Sequence, residues 1–160
     1  MTQAIALPSR SDEDFRYADM PGLAQVWPVA VEAVELAPGE VRTLTLIETG
    51  PAPIARELAV TLGAGARFEL TVLSAGAGYG RIAVRARLEQ GAHFALCAAQ
   101  LASGGQVREV VTEVVHAAPD ATSRQVVRSV AGNGGIANYL GKVRVLTGAD
   151  GTDGEQSVRA

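Results

Sequence analysis

The sequence predicts an all-β chain whose short strands stack into a solenoid, and three observations support this. Runs rich in Val, Leu and Ile are punctuated by Gly, Pro, Asn and Asp, with no helical period after about Gln25. The composition is 48% hydrophobic but only 4% aromatic, with 18 glycines, which suits thin layers of strands better than a core of large rings. A Leu-x-x-Gly motif also recurs as Leu36-Ala-Pro-Gly39, Leu62-Gly-Ala-Gly65 and Leu88-Glu-Gln-Gly91, its glycines at 39, 65 and 91 spaced 26 residues apart. Regular repeats of that length belong to stacked architectures.

At 160 residues the chain has the size of one domain. Residues 1–25 read as a short N-terminal helical or extended segment and 26–160 as the β core. In the first part, Ser11 ahead of Asp12, Glu13 and Asp14 offers a helix start, with Phe15, Tyr17 and Met20 to dock it. Pro21-Gly22 is expected to break that helix. The strand runs that follow are 27–34, 41–47, 57–62, 67–73, 81–88, 93–100, 107–115, 123–130 and 141–146.

Registered on the repeat glycines, one column holds Arg42, Phe68 and Phe94, then Leu44, Leu70 and Leu96, then Leu46, Val72 and Ala98. The alternate column holds Val41, Arg67 and His93, then Thr43, Glu69 and Ala95, then Thr45, Thr71 and Cys97. Successive strand side chains point to opposite faces, so the first column should face a core and the second should face out. A β-helix satisfies this by stacking each repeat on its neighbours; a β-sandwich is the alternative, and the equal spacing favours the solenoid. After Gln100 the repeat loosens, with His116-Ala-Ala-Pro119 and Leu146-Thr-Gly-Ala149 in the turn positions.

A formal net charge of −3, with basic residues scattered among acidic ones, argues against nucleic acid or an anionic membrane surface as a partner. The longest uncharged run, 91–107, contains Gly, Gln and Ser and is short of the roughly 20 apolar residues of a membrane span. The single cysteine leaves no internal disulfide, and the N-terminus lacks the pattern of a secretory signal. A soluble protein of the reducing cytoplasm is expected.

Three residues are weak candidates for metal ligation: His93, Cys97 and His116. His93 and Cys97 share a strand face, but four residues of strand separate them by about 13 Å, too far to share one ion. His116 precedes a turn, where bonding the turn backbone is the simpler role. The segments Gly76 to Gly80 and Gly132 to Gly135 do not open helices and read as turns rather than phosphate loops. No nucleophile elbow or Ser-His-acid set stands out, so the chain reads as a non-catalytic scaffold.

The stretch 114–159 resembles the core of the SufB/SufD family, the scaffold of iron–sulfur cluster assembly. The resemblance lies in His116-x-x-Pro119-x-x-x-Ser123-Arg124-Gln125, Gly141-Lys142-Val143-x-Val145 and Thr152-Asp153-Gly154-Glu155-Gln156. The segment Asp12-Glu13-Asp14-Phe15-Arg16-Tyr17-Ala18-Asp19 is similar to the acidic-aromatic-Arg-Tyr segment of SufD. The resemblance implies a right-handed parallel β-helix and a SufD-like subunit that pairs with SufB and docks the ATPase SufC. One Cys and two His offer few ligands, so no cofactor is expected on this chain alone, and the resemblance implies that an iron–sulfur cluster can form in the full complex. The family pattern continues into a helical region that carries the SufC contact, so the chain is expected to be C-terminally incomplete or a short form, and to self-associate through an open solenoid end. The competing functions are a β-solenoid enzyme acting on carbohydrate, for which Glu69 alone in the outward column is poor support, and a generic protein-interaction β-domain.

Overall fold

The computed structural model describes residues 5–76 and 78–160 and is all-β apart from a short N-terminal segment. That segment has a single 3₁₀ turn at Glu13–Phe15 and one helix, α1 (Met20–Ala24). Ten strands follow: β1 (Val31–Leu36), β2 (Val41–Glu48), β3 (Ile54–Leu62), β4 (Arg67–Ser74), β5 (Tyr79–Leu88), β6 (His93–Ser103), β7 (Val107–His116), β8 (Thr122–Gly132), β9 (Ile136–Val145) and β10 (Asp153–Arg159). Odd strands form one sheet in the order β1-β3-β5-β7-β9, and even strands form the other in the order β10-β8-β6-β4-β2.

All pairings are parallel between strands two apart in sequence. Parallel neighbours need a crossover, and here the crossover is the strand of the opposite sheet, so the chain winds as a solenoid of about five turns. The sandwich alternative, an antiparallel architecture, is thereby excluded.

The 26-residue spacing is the structural register. Val41 pairs with Arg67 and Arg67 with His93, while Val31 pairs with Glu57. The columns face as their alternation requires. Phe68, Leu70, Val72, Phe94, Leu96 and Ala98 are buried, whereas Glu69, Thr71 and Cys97 are exposed. Arg42, the one charged residue in the inward column, lies in the first turn and stays partly exposed beside Glu40. Each fully buried Leu or Phe contributes about 1.5–3 kcal/mol through removal of apolar surface from water.

Gly39, Gly65 and Gly91 close the Leu-x-x-Gly turns with φ of 74°, 67° and 65°, a left-handed backbone that explains the choice of glycine. Their amides bond the next turn, Gly39 N donating to Ala64 O at 2.9 Å and Gly65 N to Gln90 O at 2.8 Å. After β6 the register widens: His93 pairs with Thr122, and Thr122 with Asp153. Asp120, with φ 62°, takes the left-handed turn position that glycine holds before it.

The structure departs from the sequence reading most clearly at four places. Pro21 and Gly22 do not break a helix. Pro21 lies in the first turn of α1, where its missing N–H is not needed, and Asp19 caps the helix by accepting from Gly22 N at 3.1 Å. Trp27 lies outside the first strand, its indole N–H donating to Ile5 O at 3.0 Å and its ring meeting Phe15 edge-on at 6.1 Å. β9 begins at Ile136 rather than Gly141, through Asn138 and Gly141, two poor strand formers held by pairing to β7. β10 was not expected, because its sequence DGEQSVR has no apolar alternation; pairing with β8 makes it a strand.

Candidate functional site

The interior changes character along the solenoid axis. In the second sheet the column Arg42, Phe68, Phe94 continues as Ser123 and Gly154, and the column Leu44, Leu70, Leu96 continues as Gln125 and Gln156. In the first sheet the column Leu62, Leu88 continues as His116. An apolar stack thus gives way to a polar one in the turns built from β7 to β10.

His116 and Ser123 replace the aromatic corner of the earlier turns. His116 is completely buried, with Nδ1 3.1 Å from Ala121 O and Nε2 2.9 Å from Ser123 Oγ. A carbonyl can only accept, so Nδ1 carries the proton and Nε2 accepts from the Ser123 hydroxyl. This resembles a nucleophile–base pair, but both residues are buried and Gly154 lies over them. A Cβ there would stand 3.6 Å from His116 Nε2 and 3.5 Å from Ser123 Oγ. Among the described residues the ring's partners are Ala121 O and Ser123 Oγ, so the pair satisfies buried polar groups and ties the fourth turn to its own corner.

Burial pulls the His116 pKa below the ordinary 6.5, outweighing the hydrogen bond to Ala121 and the Asp153 charge, which raise it. The unfolded chain therefore binds the proton more readily than the folded one. Stability from this group is complete above about pH 6.5 and lost as the pH falls below it. Urea unfolding at pH 7.5 and 5.5 should show the loss, at most about 1.4 kcal/mol per pH unit per histidine. His116→Asn should flatten the profile; an unchanged slope in that variant would count against the assignment.

Next to this pair, Tyr139 reaches across the interior. Its hydroxyl lies 2.9 Å from Thr112 Oγ1, donates to Gln125 Oε1 at 3.3 Å and accepts from Gln156 Nε2 at 3.3 Å. Burial raises the Tyr139 pKa against the opposing Thr112 hydrogen bond, so the phenol stays protonated and can donate. Gly141 leaves room for the ring's end, since a Cβ there would come 2.3 Å from the Tyr139 hydroxyl. Gln125 Nε2 is buried without a partner among the described residues.

The three candidate ligands do not come together. His93 and Cys97 face outward from β6, His93 with Nδ1 2.7 Å from Thr122 Oγ1 and Cys97 exposed in a shallow groove beside Thr71 and Val126. His116 lies inside. Among the described residues no group of three or more His, Cys, Asp or Glu is placed to hold a metal ion. The fit of these residues to an iron–sulfur cluster is therefore poor, and none is assigned to one.

Sequence reasoning missed a second polar group, on the outer face of the first sheet. Arg81 and Glu109 form a buried pair at 2.8 Å, and Glu109 also accepts from Tyr79 Oη at 2.9 Å and Asp19 N at 2.6 Å. Burial and the adjacent Glu109 charge push the Tyr79 pKa well up. Arg81 donates to Asp14 O at 2.8 Å and stacks 4.6 Å from the Phe15 ring centre. Asp14 also pairs with Arg85, and Lys142 bonds Glu13 at 2.9 Å. The segment 12–19 is thus clamped across β5, β7 and β9, while Tyr17, expected to dock it, is 62% exposed.

These features define a two-sheet parallel β-solenoid whose last turns carry a polar interior. Residues 33–160 match the family model described as SUF system FeS cluster assembly, SufBD core domain. The chain belongs to that family and so has a role in SUF iron–sulfur cluster assembly. Searches of curated proteins and of solved structures gave no match.

Proposed function

We propose that the chain acts as a SufD-like, non-catalytic scaffold subunit of the SUF machinery in the cytoplasm, pairing with a SufB-like subunit and working with a SufC-like ATPase. The observation that carries this reading is the SufBD core match over most of the chain. The SufD-like assignment rests on the acidic-aromatic segment 12–19 and its clamp through Arg81, Arg85 and Lys142. The scaffold role fits an interior in which the one Ser-His pair is sealed and lacks an acid.

Among the described residues each sheet has two edge strands, β1 and β9 in one and β2 and β10 in the other. A cluster would be built on the assembled complex rather than on this chain.

Co-expression with tagged SufB-like and SufC-like proteins from the same genome tests the reading. A stoichiometric complex that survives gel filtration is expected. Absence of binding to both, with the chain folded by circular dichroism, would remove the scaffold assignment and leave a generic interaction domain.

A further inference from the structure

A third polar feature lies where the strands of the first sheet begin. Here the inward column runs Ile54, Gly80, Arg108 and Ala137. Arg108 is 1% exposed, and its Nε and Nη2 have no hydrogen-bond partner among the described residues. The contrast with Arg81 is direct, since that buried guanidinium has Glu109 at 2.8 Å. An ionised group taken out of water with nothing to pair it is strongly disfavoured, so an unpaired buried arginine calls for a counter-charge.

The surroundings make room for one. Arg108 lies across Gly80, where a Cβ would come 2.2 Å from Nη1, so only glycine lets the side chain pass. Arg108 lines a partly open cavity of about 150 Å³ together with Pro51, Ala52, Pro53, Ile54 and Gly76. That volume holds several waters or one small anion. Glu48 stands at its side, but its carboxylate is engaged by Arg56 Nη1 at 3.3 Å. The vacant donors, Nε and Nη2, share one edge of the guanidinium, the fork that pairs two oxygens of a carboxylate or oxyanion.

We infer that Arg108 and this cavity form a binding site for a small oxyanion or a carboxylate group, held by the Nε–Nη2 fork. In the bound state the side chain turns from above Gly80 into the cavity, whose rim is formed by the exposed Pro51, Ala52 and Pro53. The site is separate from the His116 and Tyr139 layer and does not depend on the proposed partners.

The test is a titration of the folded chain with inorganic phosphate and with acetate. Ionic strength is held constant with sodium chloride, and the Arg108 side-chain Nε–H resonance is followed by NMR. A saturable shift of that resonance is expected with at least one of the two anions, and the anion that saturates at lower concentration identifies the preferred chemistry. Arg108→Gln, which lacks the Nε–H and is followed through the backbone amide resonances of Gly80 and Ile54, should weaken binding about tenfold or more, the loss of a charge-assisted fork. Glu48→Gln, which removes a negative charge from the cavity wall, should strengthen it. Linear, non-saturating shifts with both anions would overturn the site. So would binding retained in Arg108→Gln, or binding unchanged or weaker in Glu48→Gln; the last reading stands even if Arg108→Gln fails to fold.

Discussion

Glu109→Ala is expected to lower the unfolding free energy by about 3–5 kcal/mol, the usual loss when one partner of a buried ion pair is removed. The size follows from what the carboxylate holds. It meets Arg81 at 2.8 Å, Tyr79 Oη at 2.9 Å and Asp19 N at 2.6 Å, and both members of the ion pair are buried. Removing it leaves the Arg81 charge with only Asp14 O and the Phe15 ring. The same substitution should free residues 12–24, because Asp19 loses its backbone partner where α1 begins. Urea unfolding gives the energy, and limited proteolysis gives the release. A loss below about 1 kcal/mol, with the segment still protected, would mean the clamp behaves like an exposed ion pair.

A comparable effect is expected from the centre of the solenoid. Phe68 and Phe94 are fully buried and stacked, with ring centres 6.1 Å apart and planes 25° apart. Phe94→Ala should cost about 3–5 kcal/mol, combining lost transfer energy with the cavity left between turns. Because each turn is buried only by its neighbours, the cavity should loosen β4 and β8 together, the strands on either side of β6. Urea unfolding measures the total, and hydrogen exchange strand by strand reads its spread. Protection lost in β6 alone would show that the turns are less coupled than the stack implies.

Much of this architecture was legible in the residues. The glycine spacing set the register over the first three turns because each Gly occupies a left-handed position that other residues avoid. The inward Leu and Phe columns followed from alternation. The later turns were harder to read because polar residues enter their interior, so Ser123 and Gln125 look like surface residues until the register places them inside. His116 gave a partial signal as a turn histidine, but its Ser123 partner depends on three-dimensional pairing. Arg108, Arg81 and Glu109 carry no one-dimensional sign of burial. Charged residues on a strand ordinarily mark the solvent face, and only a neighbouring Gly80 or Tyr79 reveals otherwise.

The change from Phe94 to Ser123 within one column also bears on how the solenoid comes apart. A stack of turns behaves as a row of nearest-neighbour couplings. Here the interior columns are unequal: Phe68 and Leu70 stack on Phe94 and Leu96 between β4 and β6, whereas Ser123 and Gln125 stand at those positions in β8, beside the apolar Val127. Local opening is therefore expected to be easier around β8 than around β4 and β6, a gradient along the solenoid axis that a uniform stack would lack.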